Sequence, residues 1–295
     1  MFDTSQAIRS RRQFLRTGLA VATGVATLGP RNLLAADLRE STRWAFLSDT
    51  HVASDPDNRY RGFYPYRNLQ EVTAQIADDL PDGLVITGDL ARLRGQAGAY
   101  ENVRSLLAPV ADQRPICLGL GNHDDRDDFL SAFEDSYGGG MTVGHRYVVA
   151  ENLGPVRLIV LDTLLYINWN PGMLGRGQCA WLQAFLQMCD DTPTILFFHH
   201  TPGKDLLDTR RLFDIIGPMA KVKAIVYGHS HRYRFSEEQG IHLINLPATG
   251  YNMSDREPVG WVEARLTTQG GEFRLHAIGG NRENDGRVER LRWRS

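Results

Sequence analysis

The sequence predicts an α/β fold, and three features support this assignment. Short apolar runs rich in β-branched residues alternate with helical patterns through most of the chain. Several of these runs are apolar at successive positions, which is typical of strands buried on both faces of a sheet. The chain has 295 residues and is 42% hydrophobic, enough to bury a full globular core.

The elements are predicted in chain order from these runs. Five pairs of a strand and a following helix come first: 43–49 with 68–79, 83–89 with 97–110, 115–124 with 126–135, 157–163 with 176–189, and 194–200 with 208–219. A further strand is predicted at 224–231. Three last strands lack intervening helices and are expected to close a sheet in the antiparallel sense: 242–249, 260–268 and 272–279.

The N-terminal segment, 1–36, differs from the rest of the chain. It contains a heptad, Ser-Arg-Arg-Gln-Phe-Leu-Arg, in which Arg11 and Arg12 are adjacent, followed by a small and apolar run too short for a comfortable membrane span. The heptad resembles the bacterial twin-arginine export signal. The resemblance implies the twin-arginine translocation machinery as a partner and a periplasmic or extracellular location. It also implies no stable membrane span in the mature protein.

The rest of the chain is expected to form one domain, because it shows no repeat, no low-complexity segment and no second boundary. We predict a linker at 37–42, the domain at 43–280, and a C-terminal tail at 281–295 that is solvated or forms a short helix. The net charge of −2 gives no sign of a surface that binds a nucleic-acid polymer.

Polar clusters stand where the predicted strands end. They are Asp49 with His51, Asp89, Asn122 with His123, His199 with His200, and His229 with His231. In open α/β sheets, ligands bind at the carboxyl ends of the strands. Carboxylate oxygens and imidazole nitrogens suit borderline and harder divalent ions, and no cysteine is present in the clusters to favour a closed zinc site. The donors exceed what one tetrahedral ion needs, so two ions sharing one carboxylate fit better.

Five motifs in order, Asp-x-His, Gly-Asp, Gly-Asn-His-Asp, His-His and Gly-His-x-His, resemble those of the calcineurin-like metallophosphoesterase superfamily over residues 43–250. The resemblance implies a four-layer α/β/β/α sandwich of the metallo-dependent phosphatase type with a dinuclear centre at one edge. It implies one ion held by Asp49, His51, Asp89 and His231, and another held by Asp89, Asn122, His199 and His229. Asp89 would bridge the ions, and His123 would face the substrate as a general acid or an electrostatic stabiliser.

Within the superfamily, the motifs are most similar to those of class III cyclic-nucleotide and glycerophosphodiester phosphodiesterases. Two positions depart from related patterns. Arg92 stands where purple acid phosphatases place a ligand tyrosine, so an iron–tyrosinate centre is not implied. The sequence His-His-Thr-Pro replaces a motif with two prolines, which leaves the choice between His199 and His200 open. The implied ions are divalent or trivalent iron, manganese or zinc.

The expected function is that of a metal-dependent phosphohydrolase acting on a small phosphodiester. Two adjacent ions lower the pKa of a bridging water, and the resulting hydroxide attacks phosphorus. The alternatives are a phosphomonoesterase on the same scaffold and a non-catalytic binding module of the same fold. Arg61 and Arg126 are candidate substrate-binding residues. The competing interpretations are an ordinary surface loop around Arg61 and an ion pair between Arg126 and Asp124 or Asp125.

Overall fold

A computed structural model describes residues 40–133 and 140–295. The predicted export segment at 1–36 and the first half of the linker, 37–39, lie outside the described residues. Within them, the strands are β1 Thr42–Leu47, β2 Gly83–Ile86, β3 Ile116–Leu118, β4 Met141–Val143, β5 Arg146–Leu153, β6 Val156–Leu161, β7 Thr194–Phe197, β8 Val222–Tyr227, β9 Arg234–Glu238, β10 Ile241–Asn245, β11 Pro258–Leu266, β12 Gly270–Gly280 and β13 Val288–Arg292. The helices are α1 Pro65–Asp78, α2 Ala97–Ala111, α3 Arg126–Phe133, α4 Gly175–Met188 and α5 Thr209–Ile216.

The strands form two mixed sheets. One sheet has the order β13-β12-β11-β1-β2-β3, and the other has the order β4-β5-β6-β7-β8-β10-β9. In the first sheet β1, β2 and β3 run parallel, and in the second β6, β7, β8 and β10 run parallel. The parallel strands therefore present their carboxyl ends together, which is where the predicted polar clusters lie.

The core between the sheets follows from the alternation of side chains along each strand. In β7, Ile195 and Phe197 join the large apolar cluster shared with the first sheet, whereas Leu196, and Phe198 just after the strand, join a second cluster on the outer face. Phe46 of β1 packs edge-on against Phe197, with ring centroids 4.9 Å apart. Strands that are apolar at every position therefore have two apolar faces to bury.

Helices cover both outer faces. Residues of α1, α2 and α3 pack in the cluster that contains β1, β2 and β3, and residues of α4 and α5 pack in the cluster on the outer face of the second sheet. The arrangement is the predicted four-layer α/β/β/α sandwich. Among the described helices, none combines the length and apolarity needed to cross a membrane.

The strand predicted at 242–249 is present, but its predicted antiparallel direction was wrong. Strand β10 runs parallel to β8 and antiparallel to β9. The omission of β9 caused the error, because that strand and the turn at Gln239 and Gly240 reverse the chain before β10 begins. Strand β9 reads Arg-Phe-Ser-Glu-Glu and is mostly exposed. An edge strand with so little buried surface lacks the apolar alternation that predicts a strand.

The C-terminal prediction was also wrong, since 288–292 form strand β13 at the edge of the first sheet, paired with β12. Arg290 and Arg292 are exposed and Glu289 is half-buried, whereas Trp293 is buried just beyond the strand. Strands β4 and β5, at 141–153, were not predicted.

Helix α1 begins at Pro65, three residues earlier than predicted, because proline is well accommodated in the first turn. Helix α5 ends at Ile216, earlier than 219, before Gly217 and Pro218.

Candidate metal centre

The predicted site residues follow the carboxyl ends of five parallel strands, β1, β2 and β3 in one sheet and β7 and β8 in the other. The sheets meet here through direct contacts. The backbone N–H of His229 donates to Asp49 Oδ2 at 3.0 Å. Within the first sheet, the backbone N–H of His123 donates to Asp89 Oδ1 at 2.8 Å. The fold therefore brings the two halves of the sequence pattern to one place.

Many of these residues adopt an unusual backbone conformation. Five non-glycine residues of the predicted ligand set have positive φ: Asp49, His51, Asp89, His229 and His231. Each such residue costs on the order of 1–3 kcal/mol and persists only where its surroundings enforce it. Backbone hydrogen bonds from Asp49 N to Gly88 O (3.0 Å) and from His51 N to Asp89 O (2.9 Å) supply that constraint. The residues with strained backbone conformations are therefore the same residues whose donor atoms converge.

The glycine before Asn122 has a steric role. A Cβ atom on Gly121 would overlap the carboxylate of Asp89. The close approach of the loops after β2 and β3 therefore requires glycine at this position. This contact explains the glycine of the Gly-Asn-His-Asp motif independently of any chemistry.

Asp49, His51 and His231 form one group of converging donors. His231 Nε2 lies 3.2 Å from Asp49 Oδ1, and His51 Nε2 lies 3.8 Å from the same oxygen. The two Nε2 atoms are 3.1 Å apart. His231 Nδ1 lies 2.6 Å from the carbonyl oxygen of Tyr251, to which its N–H donates, so the neutral ring presents an unprotonated Nε2 to the group. That tautomer can bind a metal ion.

Asp89, Asn122, His199 and His229 form the second group. His199 Nε2 lies 3.2 Å from Asp89 Oδ2, and His229 Nδ1 lies 2.9 Å from Asn122 Oδ1. Asp89 Oδ2 is also 3.7 Å from His51 Nε2, in the first group. Asp89 therefore stands between the two groups, at the position expected of a shared carboxylate.

The orphaned atoms of the cluster suit a cation. Asp49 Oδ1 and His199 Nδ1 are buried and have no hydrogen-bond partner within the described ranges. Buried polar atoms without partners cost free energy unless something else binds them. Oxygen and nitrogen donors aimed at a common point, with two carboxylates among them, are a suitable set for divalent ions. The residues present therefore fit a dinuclear metal site.

The electrostatics of the cluster support the same conclusion. Burial lowers the pKa of His51 to about 3, so this ring is neutral and can act as a ligand. Burial alone would also lower the pKa of His199, but the carboxylates of Asp89 and Asp49 outweigh it and raise that pKa to about 9. A proton on His199 thus partly neutralises two buried carboxylates. A bound metal ion would provide that positive charge instead.

His123 lies beside these groups without belonging to the core of either. Its Nδ1 is 3.0 Å from the carbonyl oxygen of Leu93, and its ring centroid is 5.3 Å from that of His51. One nitrogen of His123 also lies within 4.8 Å of donor atoms of His51 and Asp89. The ring is therefore at the mouth of the cluster, where it could meet a substrate.

The neighbouring histidines after β7 occupy different environments. His199 faces the two carboxylates, whereas His200 Nδ1 pairs with Thr163 Oγ1 at 2.7 Å. The geometry favours His199 as the ligand. Nothing in the motif alone distinguished the two rings, because the choice depends on Thr163, which follows a different strand.

Arg61 and Arg126 are both engaged by the protein itself. Arg61 donates from Nε to the carbonyl oxygen of Asn252 at 2.8 Å and from Nη2 to that of Met253 at 3.0 Å. Arg126 pairs with Asp162, with Nε 2.7 Å from Oδ2, and not with Asp124 or Asp125 as one interpretation had it. Asp162 was missed because it is distant in sequence. These contacts give both arginines a structural role.

Asp124 is a further site residue that the sequence analysis did not identify as such. Its buried carboxylate accepts hydrogen bonds from the backbone N–H groups of Gly121 (2.8 Å), Ala91 (3.0 Å) and Leu90 (3.3 Å) and from the Tyr100 hydroxyl (3.1 Å). Burial, together with the nearby charge of Asp89, raises the pKa of Asp124 to about 6. The residue fixes the loops that carry Asp89 and Asn122. Its place in the Gly-Asn-His-Asp motif was the available signal.

Two mixed sheets between helical layers, with carboxylates and imidazoles converging at one edge, define a protein of the metallo-dependent phosphatase fold. A comparison with known families agrees, since the model of the calcineurin-like phosphoesterase family matches residues 42–233. The chain belongs to this family of metal-dependent phosphoesterases.

Several known proteins are similar to this chain. A 3′,5′-cyclic adenosine monophosphate phosphodiesterase from Pseudomonas aeruginosa is 27% identical over 69% of this chain and 74% of its own length. A glycerophosphodiester phosphodiesterase from Enterobacter lignolyticus is 28% identical over 70% of this chain and 76% of its own. The crystal structure of a dimetal phosphatase from Danio rerio superposes with a TM-score of 0.66 and 14% identity over 85% of this chain and 99% of its own. That last likeness concerns the fold alone.

Proposed function

We propose that this protein hydrolyses a small phosphodiester with two metal ions held at the cluster described above. One ion would be held by Asp49, His51, Asp89 and His231, and the other by Asp89, Asn122, His199 and His229. Two such ions, when bound, supply a hydroxide nucleophile at neutral pH and neutralise charge on the phosphoryl oxygens. Iron, manganese and zinc all suit these donors.

The observation that carries the proposal is the position of Asp89 between two groups of donors. Its Oδ2 lies 3.2 Å from His199 Nε2 and 3.7 Å from His51 Nε2, while its Oδ1 accepts the His123 N–H. A structural carboxylate would need only one set of partners. This carboxylate is oriented by backbone on one side and left facing imidazoles on the other.

His123 is suited to move a proton. Its Nδ1 must carry hydrogen to donate to the Leu93 carbonyl oxygen at 3.0 Å, which leaves Nε2 for the substrate. In the protonated ring, Nε2–H would donate to the ester oxygen that departs, and general-acid catalysis of this kind contributes about 10²- to 10⁴-fold. Without proton transfer, the same N–H would stabilise negative charge on the phosphate.

The surrounding residues orient the proposed ligands and exclude water. Tyr251 stacks on His51 with ring centroids 4.7 Å apart, and its carbonyl oxygen fixes the tautomer of His231. Asp49, His51, Asp89 and His199 are buried, so little solvent is available to screen their charges. Such an environment would strengthen the attraction between the bound metal ions and an anionic substrate.

A comparison of two chromogenic esters tests the proposal. Metal-loaded protein should hydrolyse bis(p-nitrophenyl) phosphate with a higher kcat/KM than p-nitrophenyl phosphate, and protein treated with a chelator should be inactive on both. The preference for a diester is supported by the relatives that are named phosphodiesterases. Faster turnover of the monoester would favour a phosphomonoesterase. Inactivity of fully loaded protein on both esters would favour a binding module.

The proposal includes export by the twin-arginine route to the periplasm or the extracellular space. It is supported by the Arg11–Arg12 pair and the short apolar run after it. This route carries proteins that have folded before they cross the membrane, which would suit an enzyme that binds its metal ions in the cytoplasm.

A further inference from the structure

Large apolar side chains are exposed around the metal centre. Among the described residues eight large hydrophobic side chains are exposed, and six of them, here called the apolar rim, lie on the loops that follow β1, β2, β6 and β10 beside the candidate metal centre: Tyr60, Leu93, Tyr166, Ile167, Trp169 and Met253. Leu207, on the loop after β7, and Met188, at the end of α4, complete the eight. Tyr166 is 66% exposed and Trp169 is 44% exposed. Exposed apolar side chains on loops that border a functional site indicate a binding surface.

On one side, the rim is tied to the group formed by His51 and His231. The Tyr60 ring packs edge-on against Tyr251 at 4.7 Å between centroids, and Tyr251 in turn stacks on His51. The carbonyl oxygen of Met253 accepts from Arg61, which holds the loop of Met253 against that of Tyr60. These contacts place Tyr60 and Met253 next to the proposed ligands.

On the other side, the rim is tied to Asn122 and His123. The carbonyl oxygen of Leu93 faces His123 Nδ1, and the backbone N–H of Asn168 donates to the carbonyl oxygen of Asn122 at 2.5 Å. Trp169 and Tyr166 pack edge-to-face with centroids 5.6 Å apart. The rim therefore borders both the proposed metal site and the proposed proton donor.

We infer that the substrate carries an alkyl chain on its phosphate and that this chain packs on the apolar rim. The inference rests on the proposed function and narrows it from a small phosphodiester to an amphiphilic one. A polar alcohol such as glycerol would leave the rim in contact with water. An alkyl chain would cover it and gain the free energy of apolar burial.

The composition of the rim favours an alkyl chain over a nucleobase. Leu93, Ile167 and Met253 offer only apolar surface, with no group that could read the edge of a base. The aromatic side chains pack edge-on, Tyr60 with Tyr251 and Tyr166 with Trp169, so neither pair leaves two parallel faces between which a base could stack. A flexible chain makes no such geometric demand. Tyr166 and Ile167 also line a cavity of about 640 Å³, which they share with Leu130 and Leu164 and with charged side chains that include Arg126 and Arg146.

Titration with alkylphosphonates tests the inference without turnover, because the P–C bond of these compounds is not hydrolysed. Methyl-, butyl- and octylphosphonate share one charged head and differ in chain length. Calorimetry on metal-loaded protein should show affinity rising by roughly 2- to 4-fold for each methylene that the rim covers. With about five of the additional methylenes covered, octylphosphonate should bind at least ~30-fold tighter than methylphosphonate. Equal affinities along the series, or no binding of any member, would overturn the inference.

Two matched variants test whether the rim is the surface that binds the alkyl chain. Trp169→Ser should weaken octylphosphonate binding by about 5-fold or more and methylphosphonate binding less, because it removes apolar contact area and not the head-group site. Met188→Ser, which alters an 81% exposed side chain outside the rim, should leave the series unchanged. An identical effect of the two variants would contradict a role for the rim.

Further outcomes separate this inference from the proposed function. If the affinity for the alkylphosphonates does not rise with chain length in protein that hydrolyses bis(p-nitrophenyl) phosphate, the inference of an alkyl chain is refuted and the proposed phosphodiesterase activity stands. If the affinity rises steeply with chain length in metal-loaded protein that hydrolyses neither chromogenic ester, the role of the rim is supported and the proposed enzymatic activity is contradicted. Tighter binding of adenosine 5′-monophosphate than of octylphosphonate would overturn the inference in favour of a base-binding surface.

Discussion

Asn122, His123 and Asp124 are consecutive residues whose side chains reach three different environments. Asn122 Oδ1 meets His229 Nδ1, His123 faces the mouth of the cluster, and Asp124 turns inward to accept backbone hydrogen bonds. The sharp turn after β3 permits this divergence. Each residue therefore has its own expected phenotype.

Replacing His123 with alanine should lower turnover by about 10²- to 10⁴-fold if the ring transfers a proton. The loss should be larger for a dialkyl ester, whose alkoxide leaving group needs a proton, than for bis(p-nitrophenyl) phosphate, whose phenolate does not. Metal content should not change. Equal losses on both esters would identify His123 as an electrostatic stabiliser, and loss of a metal ion would identify it as a ligand.

Replacing Asp124 with asparagine should destabilise the protein by about 1–3 kcal/mol, because the amide NH₂ would confront N–H groups that now donate to a carboxylate. The free energy of unfolding in urea measures the effect. Asp127→Asn is the matched control, since Asp127 is exposed in the first turn of α3 and should cost less than about 1 kcal/mol. Similar costs for the two variants would contradict the positioning role of Asp124.

At the scale of elements, the segments most visible in the sequence were those with two apolar faces. Strands β1, β2, β7 and β8 are buried along nearly their whole length and were predicted close to their observed positions. Strands β9 and β13 lie at sheet edges, have no fully buried residue, and were missed. Pairing at an edge is decided by the neighbouring strand, which local periodicity does not reveal.

The start of β6 is joined to the segment that follows α4 by a partly buried ion pair. Arg157 is 2% exposed and lies 2.6 Å from Asp190, whose side chain is 72% exposed. Hydrogen bonding from Thr192, and then from Arg157, lowers the pKa of Asp190 to about 2. A lowered pKa in the folded state means that the ionised carboxylate stabilises the fold above its ordinary pKa of 3.8 and loses this effect as the pH falls towards about 2.

Asp190→Asn should therefore lower the free energy of unfolding by about 1 kcal/mol at neutral pH, a modest value because solvent screens the exposed carboxylate. The difference from the wild type should shrink as the pH falls from about 4 to about 2. Asp191→Asn is the control, because Asp191 is 95% exposed and pairs with Lys221 at 3.1 Å. A difference that grows on acidification would refute the assignment.

At the scale of the whole molecule, the ordered motifs predicted the fold class and the residues that the fold brings together. The choice of His199 over His200, and the pairing of Arg126 with Asp162, depended on contacts between residues far apart in the chain. The apolar rim was only partly visible in the sequence, since its members come from separate loops and share no spacing. Local patterns thus predicted the donors, whereas their surroundings depended on tertiary structure.

The proposed export route makes a prediction about the whole chain. Replacing Arg11 and Arg12 with lysine should retain the precursor in the cytoplasm, because the resemblance to the export signal depends on the arginine pair. Cell fractionation with an antibody against the folded domain measures this. Replacing Arg31 with lysine, outside the heptad, should leave delivery unchanged. Normal delivery of the double variant would contradict the twin-arginine route.

The central claim is a dinuclear centre in which Asp89 is shared, and metal stoichiometry tests it most directly. Elemental analysis of the wild-type protein at saturation should give about two ions per chain. Asp89→Asn should weaken the retention of both ions, because one carboxylate serves both groups of donors, whereas Asn122→Ala should weaken mainly one. One ion per wild-type chain, or two ions retained at wild-type affinity in Asp89→Asn, would contradict the account.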